Sequence, residues 1–387
     1  MIESLVQFQK AIREEDLSGW LFYNFRHRDA VADYLLGLPE ASVNTRPWAF
    51  YIPAGGEPLK LVSAVERNIL NTLPGRELVY SSRDEFAAAL KSALSGRVGL
   101  QFSRELPVLS TLDYGTAQIV LEAGAVPVSS APLVQRMAGV LDGDGIASHN
   151  RAAAALYETV RELWGKVAAA SKSDKSLFEG DILDLLEGML VRRGLVRDHS
   201  PLIAAGVNSG DPHYSLTGRG ARVQSGDVIQ IDVWAKENTP AAVYADISWV
   251  GVYADRPGIE EQELFDLLIR GRDEAVDFIS RRLAAGNVPT GAEVDGHVRS
   301  FFLSLGAGNL LKHRTGHGID RQVHGWGVNL DSIEFPDSRK LIEGACVSIE
   351  PGLYGKRFGL RTEINMYVEG GRPVISGGEP QNRFLTL

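Results

Sequence analysis

Cysteine is almost missing: Cys346 is the only one in 387 residues, which excludes an internal disulfide and any zinc cluster built on several thiolates. Positive charge is not in excess either. Forty Lys and Arg stand against 49 Asp and Glu, a formal net charge of -9, so composition supplies no attraction to nucleic acid or anionic lipid. No run of about 18 apolar residues is present to make a membrane-spanning helix. The opening Met-Ile-Glu-Ser-Leu-Val-Gln-Phe has no basic region followed by an apolar run, and the expectation is a cytoplasmic protein. Low-complexity tracts and short solenoid repeats are lacking. What is present, 44% hydrophobic and 23% charged residues, suffices for an ordinary globular core. The length favours two domains.

Residues 1–140 alternate short strand-like runs with amphipathic stretches, as an α/β layered domain requires. The runs are Gly19 to Tyr23, Trp48 to Ile52, Leu59 to Val62 and Val98 to Gln101; Arg83 to Leu94 is the clearest helix. No catalytic constellation occurs here. His27 and Asp29, between Arg26 and Arg28, read as a solvated loop that could still reach a neighbouring active site. Gly139 to Gly145 reads as a linker. A second domain, 147–387, opens with a long helix whose Leu156, Val160, Leu163 and Val167 recur at three and four, followed by a helix at Ser176 to Arg193. Strand signals come at Leu202 to Val207, Val228 to Trp234, Val243 to Tyr253, Cys346 to Ile349 and Leu360 to Val368. Helices at Glu260 to Ala284 and Gly291 to Leu305 lie between the middle strands and the last two.

The chemistry concentrates at His313-Arg-Thr-Gly-His317-Gly-Ile-Asp-Arg-Gln-Val-His324-Gly, where three imidazoles stand among glycines that permit close approach of backbone and ligand. Four acids interrupt the apolar strands on either side. Asp232 shares a strand face with Gln230, opposite Ile229, Ile231 and Val233; Asp246 shares one with Tyr244 and Ser248. With a turn centred on Thr239, Asp232 and Asp246 are predicted to face each other across a hairpin. Glu350 and Glu363 are predicted to oppose each other about a turn centred between Lys356 and Arg357. Like charges so placed repel and raise one another's pKa unless a cation holds them ionised. Four carboxylates and one imidazole match the charge of two divalent ions, and oxygen-rich ligation suits manganese, magnesium, cobalt or zinc over a soft ion. Such a pair can generate hydroxide from water near neutral pH. Cys346, on the Glu350 face, reads as a small core residue. His149, His199 and His297 read as structural, and His313 fits a structural hydrogen bond as well as a site.

Ile-Asp232-Val, Ala-Asp246-Ile-Ser, Gly-His317-Gly-Ile, Ile-Glu350-Pro-Gly and Arg361-Thr-Glu363, in that order, resemble the pita-bread metallopeptidase family, in particular its Xaa-Pro dipeptidase (prolidase) branch. Asp211-Pro-His213-Tyr resembles the family's substrate histidine, and the region before residue 150 resembles a creatinase-type N-terminal domain. The resemblance implies an α/β creatinase-type domain (1–140) followed by an α+β pita-bread catalytic domain (147–387). It implies two divalent ions per chain, manganese first and cobalt or zinc as alternatives. Asp232 would clasp one ion, His317 and Glu350 the other, and Asp246 and Glu363 would bridge both. Glu350 would act as general base toward a metal-bridging hydroxide, with His213 and His324 holding the substrate. Arg361 would orient a ligand or hold a substrate carboxylate. The implied reaction is hydrolysis of the bond before proline in Xaa-Pro dipeptides by a homodimer. An Xaa-Pro aminopeptidase acting on longer peptides, a metal-free creatinase-like hydrolase and a non-catalytic binding protein are the rivals. Three departures stand out: the turn between Asp232 and Asp246 is about three residues longer than is usual in the family, Asp320 replaces a common glycine, and Gly325 replaces a common glutamate after the second histidine.

Overall fold

A computed structural model describes residues 2–39, 42–173 and 176–387. The chain forms two compact units, 1–138 and 139–387. Among the described residues, no helix is long and apolar enough to cross a membrane.

The first unit contains α1 (Ile2–Glu14), β1 (Gly19–Asn24), α2 (Ala30–Leu36), β2 (Trp48–Pro53), β3 (Leu59–Ser63), β4 (Arg76–Tyr80), α3 (Arg83–Ala93), β5 (Arg97–Leu100), α4 (Tyr114–Glu122), β6 (Val126–Ser129) and α5 (Ala131–Ala138). Its six strands form one mixed sheet in the order β4-β3-β2-β1-β5-β6. The apolar face of α3, Phe86 and Leu90, packs on Leu21, Leu61, Val98 and Leu100 of that sheet. A capping box at Ser82 and Glu85 starts this helix by satisfying its free amides. The 26–29 loop is not solvated as expected. Asp29 is buried because its carboxylate caps α2 at Ala32 N, 3.0 Å away, and burial pushes its pKa up to about 7. His27 is pinned between Asp33 and the Ser42 carbonyl.

The second unit contains α6 (Gly143–Ala170), α7 (Glu179–Arg192), β7 (Leu195–Val196), β8 (Leu202–Ala205), β9 (Val228–Glu237), β10 (Ala245–Val252), α8 (Ile259–Ala284), α9 (Gly291–Ser304), β11 (Cys346–Ile349), β12 (Gly352–Tyr354), β13 (Gly359–Arg361), β14 (Ile364–Glu369) and β15 (Arg372–Ile375). The presumed linker belongs to it. Leu141 N bonds Gly344 O, and Asp142 caps Gly145 N, so α6 begins at Gly143 and the glycines lie in its first turn. One core joins Leu156, Val160, Leu163 and Val167 of α6 to Ile229, Ile231 and Val233 of β9 and Ile247 of β10. A second joins α8 and α9 to Val347, Ile349, Ile364 and Met366 of the β11-β14-β15 sheet. With Ile229, Ile231 and Val233 turned into the first core, the alternation of the strand turns Gln230 and Asp232 the other way, toward the second sheet.

Two strand expectations need correction. Ser248, not Asp246, lies opposite Asp232, and Asp246 pairs with Trp234. The ladder is displaced because Lys236 and Glu237 extend β9 by pairing with Val196 and Leu195, which carries the turn further along the chain. Leu360 to Val368 is two strands, not one. Glu363 leaves the hairpin to donate its N–H to Ser248 O of β10 at 2.9 Å. The hairpin register itself is continuous, with Ile349 opposite Ile364 and Gly352 opposite Arg361, so Glu350 and Glu363 occupy corresponding positions at the break between the two ladders.

Gly251 tests the contact of α6 with the sheet. A Cβ there would lie 2.0 Å from the Trp164 ring, which is anchored by its N–H to Thr386 O at 2.7 Å. Replacing a strand glycine by alanine ordinarily gains roughly 0.5–1 kcal/mol, whereas overpacking costs about 1–3 kcal/mol. Gly251→Ala is therefore expected to lower stability by roughly 1–2 kcal/mol, measured by urea unfolding.

Candidate metal centre

Three side-chain amides stitch the site region together. Gln230 on β9 donates to Arg361 O at 3.1 Å and accepts Arg361 N at 2.8 Å. Asn365 on β14 donates to Asp246 O at 2.6 Å and accepts Asp246 N at 2.8 Å. Gln381 does the same for Val250, at 2.6 and 2.9 Å. Each amide reproduces one rung of a backbone ladder with a side chain, because a primary amide offers a donor and an acceptor side by side. The paired β9 and β10, which carry Asp232 and Asp246, are thereby joined to the β13-β14 segment around Glu363 largely through side chains. Gly316 allows the histidine segment to close on them. A Cβ there would sit 2.1 Å from Ser348 O, and the close approach lets His317 N donate to Ser348 Oγ at 2.9 Å.

The fold brings the five expected ligands into one cluster, with Asp246, His317 and Glu363 buried and Asp232 and Glu350 half-buried. Asp246, His317 and Glu363 offer atoms within 4.8 Å of one another. His317 Nε2 lies 3.6 Å from both Asp246 Oδ2 and Glu350 Oε1, too far for a hydrogen bond. Asp232 is turned to Ser248 Oγ and Arg361 Nη2, each 2.5 Å away. Asp246 Oδ1 and Glu363 Oε1 are buried with no hydrogen-bond partner. Buried carboxylate oxygens are rarely left so, since each costs its desolvation without compensation. Burial, then the Asp232 charge, raises the Asp246 pKa well above its ordinary value. Burial and the Asp246 charge do the same to Glu363, burial raises Glu350, and burial lowers His317. A dry set of acids with orphaned oxygens fits divalent cations, which would satisfy the oxygens and hold the acids ionised.

Around this centre the remaining expected residues take distinct places. Arg361 is buried and fully engaged: Nε donates to Ser248 Oγ at 3.0 Å, Nη1 to Pro212 O at 3.1 Å and Tyr354 OH at 3.2 Å, and Nη2 to Asp232. His324 is exposed, its ring edge-on to His317 with centroids 4.3 Å apart. His213 is exposed on a loop near enough to influence both His313 and His324 electrostatically. His313 is half-buried between Arg314 O and Tyr354 OH, each 2.7 Å away, and loss of solvent around the ring pushes its pKa down to about 3. Cys346 and His149 are buried together, with His149 bonded to Tyr244 O and Ser376. His297 stacks on Phe278, and His199 is exposed.

Three residues that pattern-reading missed shape the site. Tyr354 links His313 to Arg361. Glu179, fully buried, accepts Ala205 N, Asn208 Nδ2, Tyr214 OH and Ala221 N at 2.7–2.9 Å, tying down the loop that carries His213. Asp295, fully buried, accepts Thr315 N and Oγ1 ahead of His317. A sequence signal for the last two exists: each acid lies on the apolar stripe of its helix, Glu179 in line with Ile182 and Leu186, Asp295 with Val294 and Val298.

Residues 147–370 match the model of metallopeptidase family M24. The chain belongs to that family. It is 28% identical over 158 residues to an Xaa-Pro dipeptidase of Pyrococcus furiosus, an alignment spanning 41% of each chain. The match thus covers about two fifths of that relative's length. It is 24% identical over 337 residues to a probable dipeptidase PepE of Mycobacterium bovis, covering 85% of this chain and 83% of that one. The crystal structure of dipeptidase PepE from Mycobacterium ulcerans superposes with a TM-score of 0.73 at 20% identity, over 100% of this chain and 98% of that chain. The architecture of this M24 chain is therefore a creatinase-type α/β unit followed by a pita-bread unit.

The M24 cluster makes a pH-dependent prediction for metal-free protein. The Glu363 pKa is raised on folding, so its contribution to stability is complete below its unfolded value of about 4 and is lost as pH rises toward the folded one. In EDTA, Glu363→Gln should match wild type at pH 4 and exceed it in stability at pH 8, by urea unfolding. A rise in melting temperature on adding a divalent cation is expected for wild type and should be lost in the variant.

Proposed function

We propose that the chain is a dinuclear metallopeptidase that hydrolyses the peptide bond before proline, with Xaa-Pro dipeptides as substrates. The observation that carries this is the convergence of Asp232, Asp246, His317, Glu350 and Glu363, with Asp246 Oδ1 and Glu363 Oε1 left without partners. Four carboxylates balance two divalent ions. Asp232 would hold one ion, His317 and Glu350 the other, and Asp246 and Glu363 both; manganese is the first choice for an oxygen-rich site with one imidazole. Bound there, the ions would supply Lewis acidity and lower the pKa of water toward neutrality.

The chain's own residues do the rest. Glu350 is held at the cleft by its N–H to Thr315 O at 2.7 Å. Burial raises its proton affinity, which suits a base that takes a proton from the attacking water and returns it to the leaving amine. His213 and the exposed His324, whose ring lies against His317, hold the substrate and donate to the oxygen on which charge develops. Arg361 orients Asp232; its engaged guanidinium favours that role over binding a substrate carboxylate. The preference for proline is carried over from the Xaa-Pro dipeptidase relatives, and a homodimer is the proposed assembly.

Hydrolysis of a Xaa-Pro dipeptide and a Xaa-Pro-Xaa tripeptide, before and after exhaustive chelation and with manganese restored, tests the reading. Dipeptide turnover lost on chelation and regained with metal is expected, and Glu350→Gln should lower kcat by about 10²–10⁴. Turnover of tripeptide alone would reassign the chain to the aminopeptidases. Activity surviving chelation would indicate creatinase-like chemistry, and neither metal uptake nor cleavage would indicate a binding protein.

A further inference from the structure

We propose that Asp320 and Gly325 form a matched pair that fixes His324 in its working position, with Asp320 as the positioning residue. The inference rests on the peptidase reading above for the role of His324, and on geometry for the pair. Residues 318–326 close on themselves through Gly325 N to Gly318 O, 2.7 Å. Inside that loop the Asp320 side chain is 2% exposed, with Oδ1 accepting Gln322 N at 2.8 Å and Oδ2 accepting Trp326 N at 2.7 Å. The main chain around it is pinned from outside by Tyr244 N to Asp320 O at 3.0 Å and Lys236 Nζ to Arg321 O at 2.7 Å. His324 thus has an exposed ring on a loop whose interior is occupied by one carboxylate.

The same carboxylate dictates the residue after His324. A Cβ at 325 would lie 2.5 Å from Asp320 Oδ2, 2.6 Å from its Cγ and 2.9 Å from its backbone nitrogen. The two shortest of these contacts belong to the Asp320 side chain and would go with it, while the third, to the backbone nitrogen, needs a small shift of the loop. Aspartate at 320 and glycine at 325 therefore go together: the Asp320 carboxylate fills the volume that a side chain at 325 would enter. Removing Asp320 alone leaves two loop amides without acceptors. Adding glutamate at 325 alone creates the collision. Either change releases a loop that must hold an imidazole within a fraction of an ångström to be useful.

The full-length protein, loaded with manganese, tests this with Asp320→Gly, Gly325→Glu and the double variant. Each single change is expected to lower kcat/KM for a Xaa-Pro dipeptide by about tenfold or more at unchanged metal content, and the double variant to lose at least about tenfold less than the product of the two single effects. In a His324→Ala background, Asp320→Gly should cost no further activity. Tryptic cleavage after exposed Arg321 gives a readout independent of catalysis. Asp320→Gly should be cut faster than the double variant, which shares the same residue beside the scissile bond. Effects of the two singles that simply multiply, or an equal cost of Asp320→Gly with and without His324, would overturn the proposal. If no variant, wild type included, cleaves peptide, the proteolysis comparison alone decides the pairing of 320 with 325, and the failure counts against the function.

Discussion

The repulsion among buried carboxylates governs this molecule. Asp246 and Glu363 each keep a buried oxygen with no partner, beside the part-buried Asp232 and Glu350. Left to themselves, such groups would take up protons or push their strands apart. They stay because their backbones are committed elsewhere: Asp246 to Asn365, Glu363 to Ser248 and Glu350 to Thr315. The scaffold stores an unfavourable arrangement that bound cations would relieve with the acids still ionised, as binding sites built for charge commonly do.

Much of this could be read from residue order. Period-two alternation assigned Ile229, Ile231 and Val233 to a core and Asp232 to the opposite face, and helical spacing found α6 and the long α8. The hairpin carrying Glu350 and Glu363 was legible because its turn is short and its register follows from symmetry about it. The one carrying Asp232 and Asp246 was not, since β7 extends β9 through pairing that no local pattern reveals. The break at Thr362 and Glu363 was equally hidden, because the partner of Glu363 N lies on β10, far away in sequence. Asp29 was misread because a carboxylate capping a helix looks the same in sequence as one facing water.

Acids outside the cluster share a second task. Glu179, Asp295 and Asp320 are each buried, each accepts at least two backbone N–H groups, and each lies beneath a segment that carries His213, His317 or His324. Irregular loops expose amides that need acceptors, and a buried carboxylate with several lone pairs serves more of them than a neutral side chain does. Rigidity of the histidines is thus obtained from residues that never meet a ligand.

The seam of primary amides has a chemical consequence. Gln230, Asn365 and Gln381 work because each offers NH₂ and C=O together. Deamidation exchanges the donor for a further anion, so at Gln230 or Asn365 a single hydrolytic event would unfasten a rung and add negative charge where it is already least tolerated.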